Sequence, residues 1–170
     1  QITSAAPDTP FYYYHIPAFG GVSLDMSRLL AVANERIPNM RGIKFSSPQL
    51  HELDACRRTC GEAFDILFGV DEMLLGAAAM GVRGAVGSTY NFAPRIYLGI
   101  IDALERGDLD EARRLQSTSV DLIRALIDTC GRAGLKATMT LSGVDCGAHR
   151  LPLKDASPEQ IAALDQRLYT

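Results

Sequence analysis

The sequence predicts an α/β protein: about four βα units of a parallel sheet, half of a (β/α)8 or TIM barrel, followed by a helical C-terminal part. Three observations lead there. Short runs of β-forming residues alternate with helical patterns, and such alternation means parallel strands joined by helical crossovers. Polar and glycine residues cluster at the C-terminal ends of those runs: Tyr14 to Pro17, Lys44 to Ser47, Gly69 to Glu72 and Gly87 to Asn91. In (β/α)8 barrels that end of the strands carries the chemistry. A closed barrel needs eight strands and typically about 250 residues, and 170 residues supply only half. Such a half leaves two strand edges without neighbours. A single domain over residues 1–170 is expected, with βα units over about 10–92 and the helical part over 93–170.

Each element has its own signal. Phe11 to Pro17 is rich in β-formers and is stopped by Pro17, so it reads as the first strand. Gly20 and Gly21 make a loop, and Asp25 or Ser27 can cap a helix from about Ser27 to Arg36. Arg41 to Ser47 is the second strand. Pro48 suits a first helical position, and that helix runs to about Cys60, where Gly61 stops it. Phe64 to Val70 is the third strand; Asp71 then caps a helix of small residues, Glu72 to Met80, ended by Gly81. Arg83 to Thr89 is the fourth strand. Beyond it the pattern is helical: about Ala93 to Glu105, a turn at Gly107-Asp108, Leu109 to Gly131, and Ala133 to Leu141. A last helix starts with Ser157 as cap and Pro158 at its first position.

Composition narrows the classes. The chain is 47% hydrophobic and 22% charged, ordinary for a globular protein. Net charge is −3 and the Lys and Arg residues are scattered. That weighs against nucleic acid and against an anionic membrane, each of which wants a basic patch. No apolar run is long enough to span a bilayer. No basic segment followed by an apolar one opens the chain, so a signal peptide is not expected; the missing initiating Met fits a processed or truncated chain. Cys56, Cys60, Cys130 and Cys146 form no Cys-x-x-Cys pair, and no His stands at zinc-ligand spacing. They read as reduced packing thiols of a cytoplasmic protein, with no metal site.

Arg41-Gly42-Ile43-Lys44-Phe45-Ser46-Ser47 organises the rest. Parallel strands are buried on both faces and read as apolar runs, so a lone Lys inside one needs a reason. One reason is chemistry. A desolvated lysine gives up its proton more readily, and the neutral amine forms a Schiff base with a carbonyl. The plain alternative is a strand-end lysine with its stem packed and its head in water. The strand by itself favours that alternative, and the surrounding motifs reverse the preference.

Four segments carry a resemblance to the family of class I aldolases that contains N-acetylneuraminate lyase and dihydrodipicolinate synthase. Tyr14-His15-Ile16-Pro17 resembles that family's Tyr-x-x-Pro strand end, whose tyrosine relays protons. Gly42-Ile43-Lys44-Phe45 resembles the strand holding the Schiff-base lysine. Gly69-Val70-Asp71-Glu72 resembles the lyases' Gly-x-Asp-Glu, which binds the sugar's hydroxylated tail. Gly84 to Asn91 resembles the Gly-Ser-Thr-Tyr-Asn segment at the substrate. The likeness runs from about Pro10 to the C-terminus and is to the C-terminal half of the barrel.

The resemblance implies a lyase of the sialic acid type, giving pyruvate and N-acetylmannosamine without a cofactor. Lys44 would be the Schiff-base residue and Tyr14 the proton relay. Ser46, Gly69, Asp71, Glu72, Gly87 and Ser88 would bind substrate. Plain readings stand beside these. Asp71 could be only a helix cap, and Ser88 with the glycines only a tight strand end. Tyr12 and Tyr13 read as packed aromatics, His15 as a structural hydrogen-bonder, and His51 and His149 as surface residues.

Three departures matter. Dihydrodipicolinate synthases usually carry an arginine two residues after the Tyr-x-x-Pro proline; here Phe19 stands there, so a second substrate carboxylate lacks its fork of donors. Gly20 replaces the usual Ser or Thr. The family's Gly-x-Thr/Ser-Thr/Ser-Gly-Glu loop, which holds the keto acid's carboxylate, does not occur within these residues. Little activity is therefore expected of this chain alone. Expected partners are the small-molecule substrate and either a complementing N-terminal half barrel or further copies of the chain. The alternatives are a sibling aldolase acting on a keto-deoxy sugar acid and a non-catalytic half-barrel fragment.

Overall fold

The computed structural model describes residues 2–168. The chain forms two compact units, with the boundary between Gly87 and Ser88.

The first unit holds one sheet of four parallel strands in the order β1 (Phe11–His15), β2 (Met40–Phe45), β3 (Asp65–Phe68) and β4 (Gly84–Ala85). Sequential parallel neighbours require a crossover between each pair. Helices α2 (Met26–Arg36), α3 (Leu50–Cys60) and α4 (Leu74–Ala79) lie on those crossovers. This is the half-barrel arrangement that the alternation predicts. Asp25 caps α2, its Oδ1 accepting the Arg28 N–H at 3.0 Å; such a cap is worth about 1 kcal/mol. Met26, Leu30 and Ala33 bury one face of α2 at helical spacing, and Leu53 and Cys56 do so for α3. Ile43 and Phe45 alternate into the same core from β2, fully buried. The Met26 N–H donates to Glu52 Oε1 at 3.3 Å and so ties α2 to α3. Leu30→Ala would leave a cavity costing about 2–5 kcal/mol.

Strands β1, β2 and β3 end earlier than expected, and the helix expected over Glu72–Met80 is a 3-10 turn, Asp71–Met73, followed by α4; three further differences have a visible cause. A short helix, α1 (Pro17–Gly20), replaces the loop after β1, with Pro17 at its first position and Gly21 ending it at φ 63°. Proline's preset φ and glycine's left-handed freedom together close this single turn. Helix α3 starts at Leu50 rather than Pro48, because the buried Ser47 Oγ accepts the Gln49 N–H at 3.3 Å and holds a turn there. Strand β4 contracts to Gly84–Ala85, pairing only with β3 among the described residues. A strand at a sheet edge has ladder bonds on one side only, and it shortens accordingly.

The second unit is helical: α5 (Pro94–Glu105), α6 (Leu109–Cys130), α7 (Gly134–Leu141) and α8 (Pro158–Leu168). Asp108 caps α6 through the Glu111 N–H at 3.1 Å. Ser157 Oγ caps α8 through the Gln160 N–H at 3.3 Å, while Gln160 Oε1 accepts the Ser157 N–H at 2.9 Å, a reciprocal capping box. Leu126, Cys130, Ala133, Ala137 and Leu164 form the core between α6, α7 and α8. A Cβ on Gly99 would come within 2.9 Å of Leu115, so the missing side chain lets α5 approach α6 closely. No helix among the described residues is long and apolar enough to cross a membrane.

Candidate active site

Lys44 is the fifth residue of β2, half-buried, and pairs in register with Tyr14 of β1 and Leu67 of β3. Its neighbours Ile43 and Phe45 point to the helices, so Lys44 points to the opposite face, the interior side of a barrel. There its Nζ lies 4.3 Å from the centre of the Tyr14 ring. A cation over a tyrosine face gains about 0.5–1 kcal/mol at an exposed site.

Ser46 and Gly69 join this pair. A Cβ on Gly69 would collide with Ser46 Oγ and come within 3.0 Å of Lys44 Cε. Gly69 therefore gives up its side chain to make room for the lysine and the serine. The Ser46 hydroxyl is buried and has no hydrogen-bond partner among the described residues. Buried polar atoms are nearly always satisfied, so this one stands out as a place for a ligand.

A second pair lies on the β3 and β4 ends. Asp71 is 7% exposed, and its carboxylate fills the space a Cβ on Gly87 would take. Asp71 does not sit at a cap position: it is the first residue of a 3-10 turn, Asp71–Met73, whose N-cap is Val70. Glu72 follows it on that turn and is exposed. Ser88 is exposed and opens the second unit; its carbonyl accepts the Asn91 side-chain amide at 2.8 Å.

The sequence-chosen residues of the first unit thus form two groups, Tyr14–Lys44–Ser46–Gly69 and Asp71–Gly87. His15 faces the helices, 2% exposed, with its ring 5.1 Å from that of Phe45 and its Nε2 3.8 Å from Glu52. Burial lowers its pKa, and the Glu52 charge opposes this. Its Nε2 makes no hydrogen bond among the described residues, so the hydrogen-bonding role expected of it is absent at that atom. His149, read as a surface residue, is half-buried, and its Nδ1 lies 2.7 Å from Asp155 Oδ1.

Tyr12 departs from its reading as a packed aromatic in its exposure, though its hydroxyl is satisfied as that reading expects. It shares the Tyr14 face, is 38% exposed, and donates its hydroxyl to Asp65 Oδ2 at 2.6 Å. Sequence reasoning missed Asp65. A carboxylate inside an apolar strand run was the available signal, of the same kind as Lys44. A large open cavity of about 990 Å³ lies elsewhere, lined by Phe11, Tyr13, Leu29, Val32 and Ile37 among others. None of the candidate residues lines it. Among the described residues no cluster of three or more His, Cys, Asp or Glu side chains could hold a metal ion.

Four parallel βα units with their polar residues at the C-terminal strand ends define half of a barrel enzyme fold. The profile of the dihydrodipicolinate synthetase family matches residues 1–169, and the chain belongs to that family. It is 43% identical to the N-acetylneuraminate lyase of Gallus gallus over 99% of this chain and 56% of that protein. N-acetylneuraminate lyase A of Xenopus laevis is 42% identical over 90% of this chain and 50% of its own. The native structure of the lyase from Aliivibrio salmonicida superposes with a TM-score of 0.92 at 42% identity, over 99% of this chain and 56% of that one. The chain spans about half the length of the relatives it matches.

Proposed function

We propose that this chain is the lysine-bearing half of an N-acetylneuraminate lyase, cleaving sialic acid to pyruvate and N-acetylmannosamine through a Schiff base on Lys44. The observation that carries this is the Lys44 amine held 4.3 Å from the Tyr14 ring centre, beside the orphan Ser46 hydroxyl. Breaking a carbon–carbon bond next to a ketone needs an electron sink, and an iminium on Lys44 is one. Tyr14 relays the proton from the substrate hydroxyl that becomes the aldehyde, through the substrate carboxylate. Ser46 and the backbone at Gly69 hold the keto acid end. Asp71 and Glu72 accept hydrogen bonds from the sugar's hydroxyls, with Gly87 leaving the room that Asp71 takes. Phe19 in the arginine position supports a sugar rather than a second carboxylate.

The carboxylate-holding loop of the family does not occur in these residues, and its donors are each worth about 1.5–3 kcal/mol to a charged group. The 170 residues alone are therefore weak or inactive, and the working enzyme is completed by another half barrel or copy. Four free thiols fit a cytoplasmic setting. Borohydride reduction with pyruvate tests this. The chain alone should gain no mass on Lys44, whereas the chain mixed with an N-terminal half barrel of a relative should. Trapping on a different lysine, or none in the completed barrel, would overturn it. Product analysis with sialic acid and with keto-deoxygluconate separates the lyase from a sibling aldolase.

A further inference from the structure

Which residue of β1 lies opposite Lys44 depends on an irregularity in the ladder. Phe11 pairs with Met40, but Tyr12 pairs with Gly42, so Arg41 is an extra residue on β2. Without it the pairing begun at Phe11 would set His15 opposite Lys44 and turn Tyr14 to the helix side, because a one-residue slip exchanges the faces of a strand. With it, Tyr14 pairs with Lys44.

Two features hold the shifted pairing. Arg41 Nη1 donates to the carbonyls of Pro38 and Met40, each at 2.9 Å, and so supplies a donor to the carbonyls around the irregularity. On the other face, the Tyr12 ring reaches across β2 and its hydroxyl meets Asp65 of β3 at 2.6 Å. It crosses at Gly42, where a Cβ would lie 2.9 Å from Tyr12 Cε1 and would collide with the Asp65 carbonyl. Tyr12, Gly42 and Asp65 form one row across three strands; Tyr14, Lys44 and Leu67 form the next.

We propose that Tyr12 and Asp65 are positioning residues: their hydrogen bond clasps β1 to β3 over Gly42, locks the register shift at Arg41, and thereby keeps Tyr14 rather than His15 against Lys44. Its catalytic meaning rests on the aldolase reading above, but the geometry is independent of it. The clasp joins strands that are not neighbours, so it resists sliding of β1 along β2, which ladder bonds between those two strands alone permit at a one-residue step. A bulge is where a ladder is least self-defining, and the clasp follows it immediately.

The experiment reads the position directly in the 170-residue chain. A lysine under a tyrosine face has its ε-methylene protons displaced upfield by the ring current, and a Tyr14→Leu chain supplies the zero. Tyr12→Phe and Asp65→Ala should each lose most of that displacement while circular dichroism remains that of the folded chain. Asp65→Asn keeps a carbonyl acceptor for the phenol and should retain it. Displacement surviving in Tyr12→Phe, or lost as fully in Asp65→Asn as in Asp65→Ala, would overturn the proposal, as would its absence from the parent chain. Should Asp65→Ala unfold, Tyr12→Phe decides, since it removes one oxygen and keeps the ring. No substrate is involved. Lyase activity missing from a completed barrel that shows the expected displacements would count against the aldolase reading only.

Discussion

Lys44 Nζ sits 4.3 Å from the centre of the Tyr14 ring, so the residue proposed as proton relay also holds the proposed nucleophile. The two tasks use different parts of the side chain and can be separated. Tyr14→Phe keeps the face and removes the hydroxyl. In a completed barrel it should still trap pyruvate on Lys44 under borohydride, while cleavage falls by about 10²–10⁴-fold, the usual worth of a positioned proton-transfer group. Tyr14→Leu should impair trapping as well. Equal trapping in both variants would show that the ring does not hold the amine.

Gly69 is predicted to be irreplaceable by alanine for a steric reason. The added methyl would fall on Ser46 Oγ and crowd Lys44 Cε at 3.0 Å. Overpacking of this kind costs about 1–3 kcal/mol. Gly69→Ala should lower the urea midpoint and, in a completed barrel, should also reduce pyruvate trapping, because the displaced atoms include the lysine stem. A variant with normal trapping would mean that the lysine relaxes without consequence.

Gly87→Ala should behave differently. The three atoms nearest its methyl would all belong to the Asp71 carboxylate. Trapping of pyruvate on Lys44 should be unchanged, while the KM for the sugar substrate rises, since Asp71 is assigned to the sugar hydroxyls. Loss of trapping in Gly87→Ala would merge the two groups of residues into one.

The parallel strands, the helix starts after Asp25 and Ser157, and the Lys44 strand were legible because each rests on local chemistry: a cap, a proline, a period of two. The ends of β4 were not, because Arg83 to Thr89 has a strand's composition while its length depends on a neighbour on only one side. The bulge at Arg41 was missed although it breaks the period of two within β2: Met40 and Ile43, three residues apart, oppose Phe11 and Tyr13, two apart. Gly69 and Gly87 were singled out as positions of interest by the resemblance alone. What the structure adds is that they are spaces for Ser46, Lys44 and Asp71.

Cys56 should be inert although it shares a helix with Cys60. It is fully buried, and burial, followed by the nearby Glu52 charge, pushes its thiol up to about 12. The thiolate is the reactive form. A short maleimide pulse read by peptide mass should label the exposed Cys146 first and leave Cys56 untouched until the chain unfolds. Labelling of Cys56 as early as Cys146 would contradict the burial of this face of α3.

The Tyr12–Asp65 bond also sets a pH dependence whose sign follows from its geometry. The phenol donates to a carboxylate, so losing its proton would remove the bond and place two negative charges together. Hydrogen bonding to Asp65 first, then burial and the Asp65 charge, raise the Tyr12 pKa above its ordinary 10.0; Arg41 opposes this. A group whose value is raised on folding stabilises the fold fully below its unfolded value, and that contribution is lost as pH rises through the folded one. The stability contributed by the clasp should therefore be flat below pH of about 10 and decline above it. Ultraviolet titration of the parent chain minus Tyr12→Phe isolates this phenol among the six tyrosines. Its ionisation should come later than that of free tyrosine, and Asp65→Asn should bring it back toward the ordinary value. A Tyr12 that ionises normally in the parent chain would mean that the hydroxyl does not rest on Asp65 in solution, and the clasp would lose its anchor.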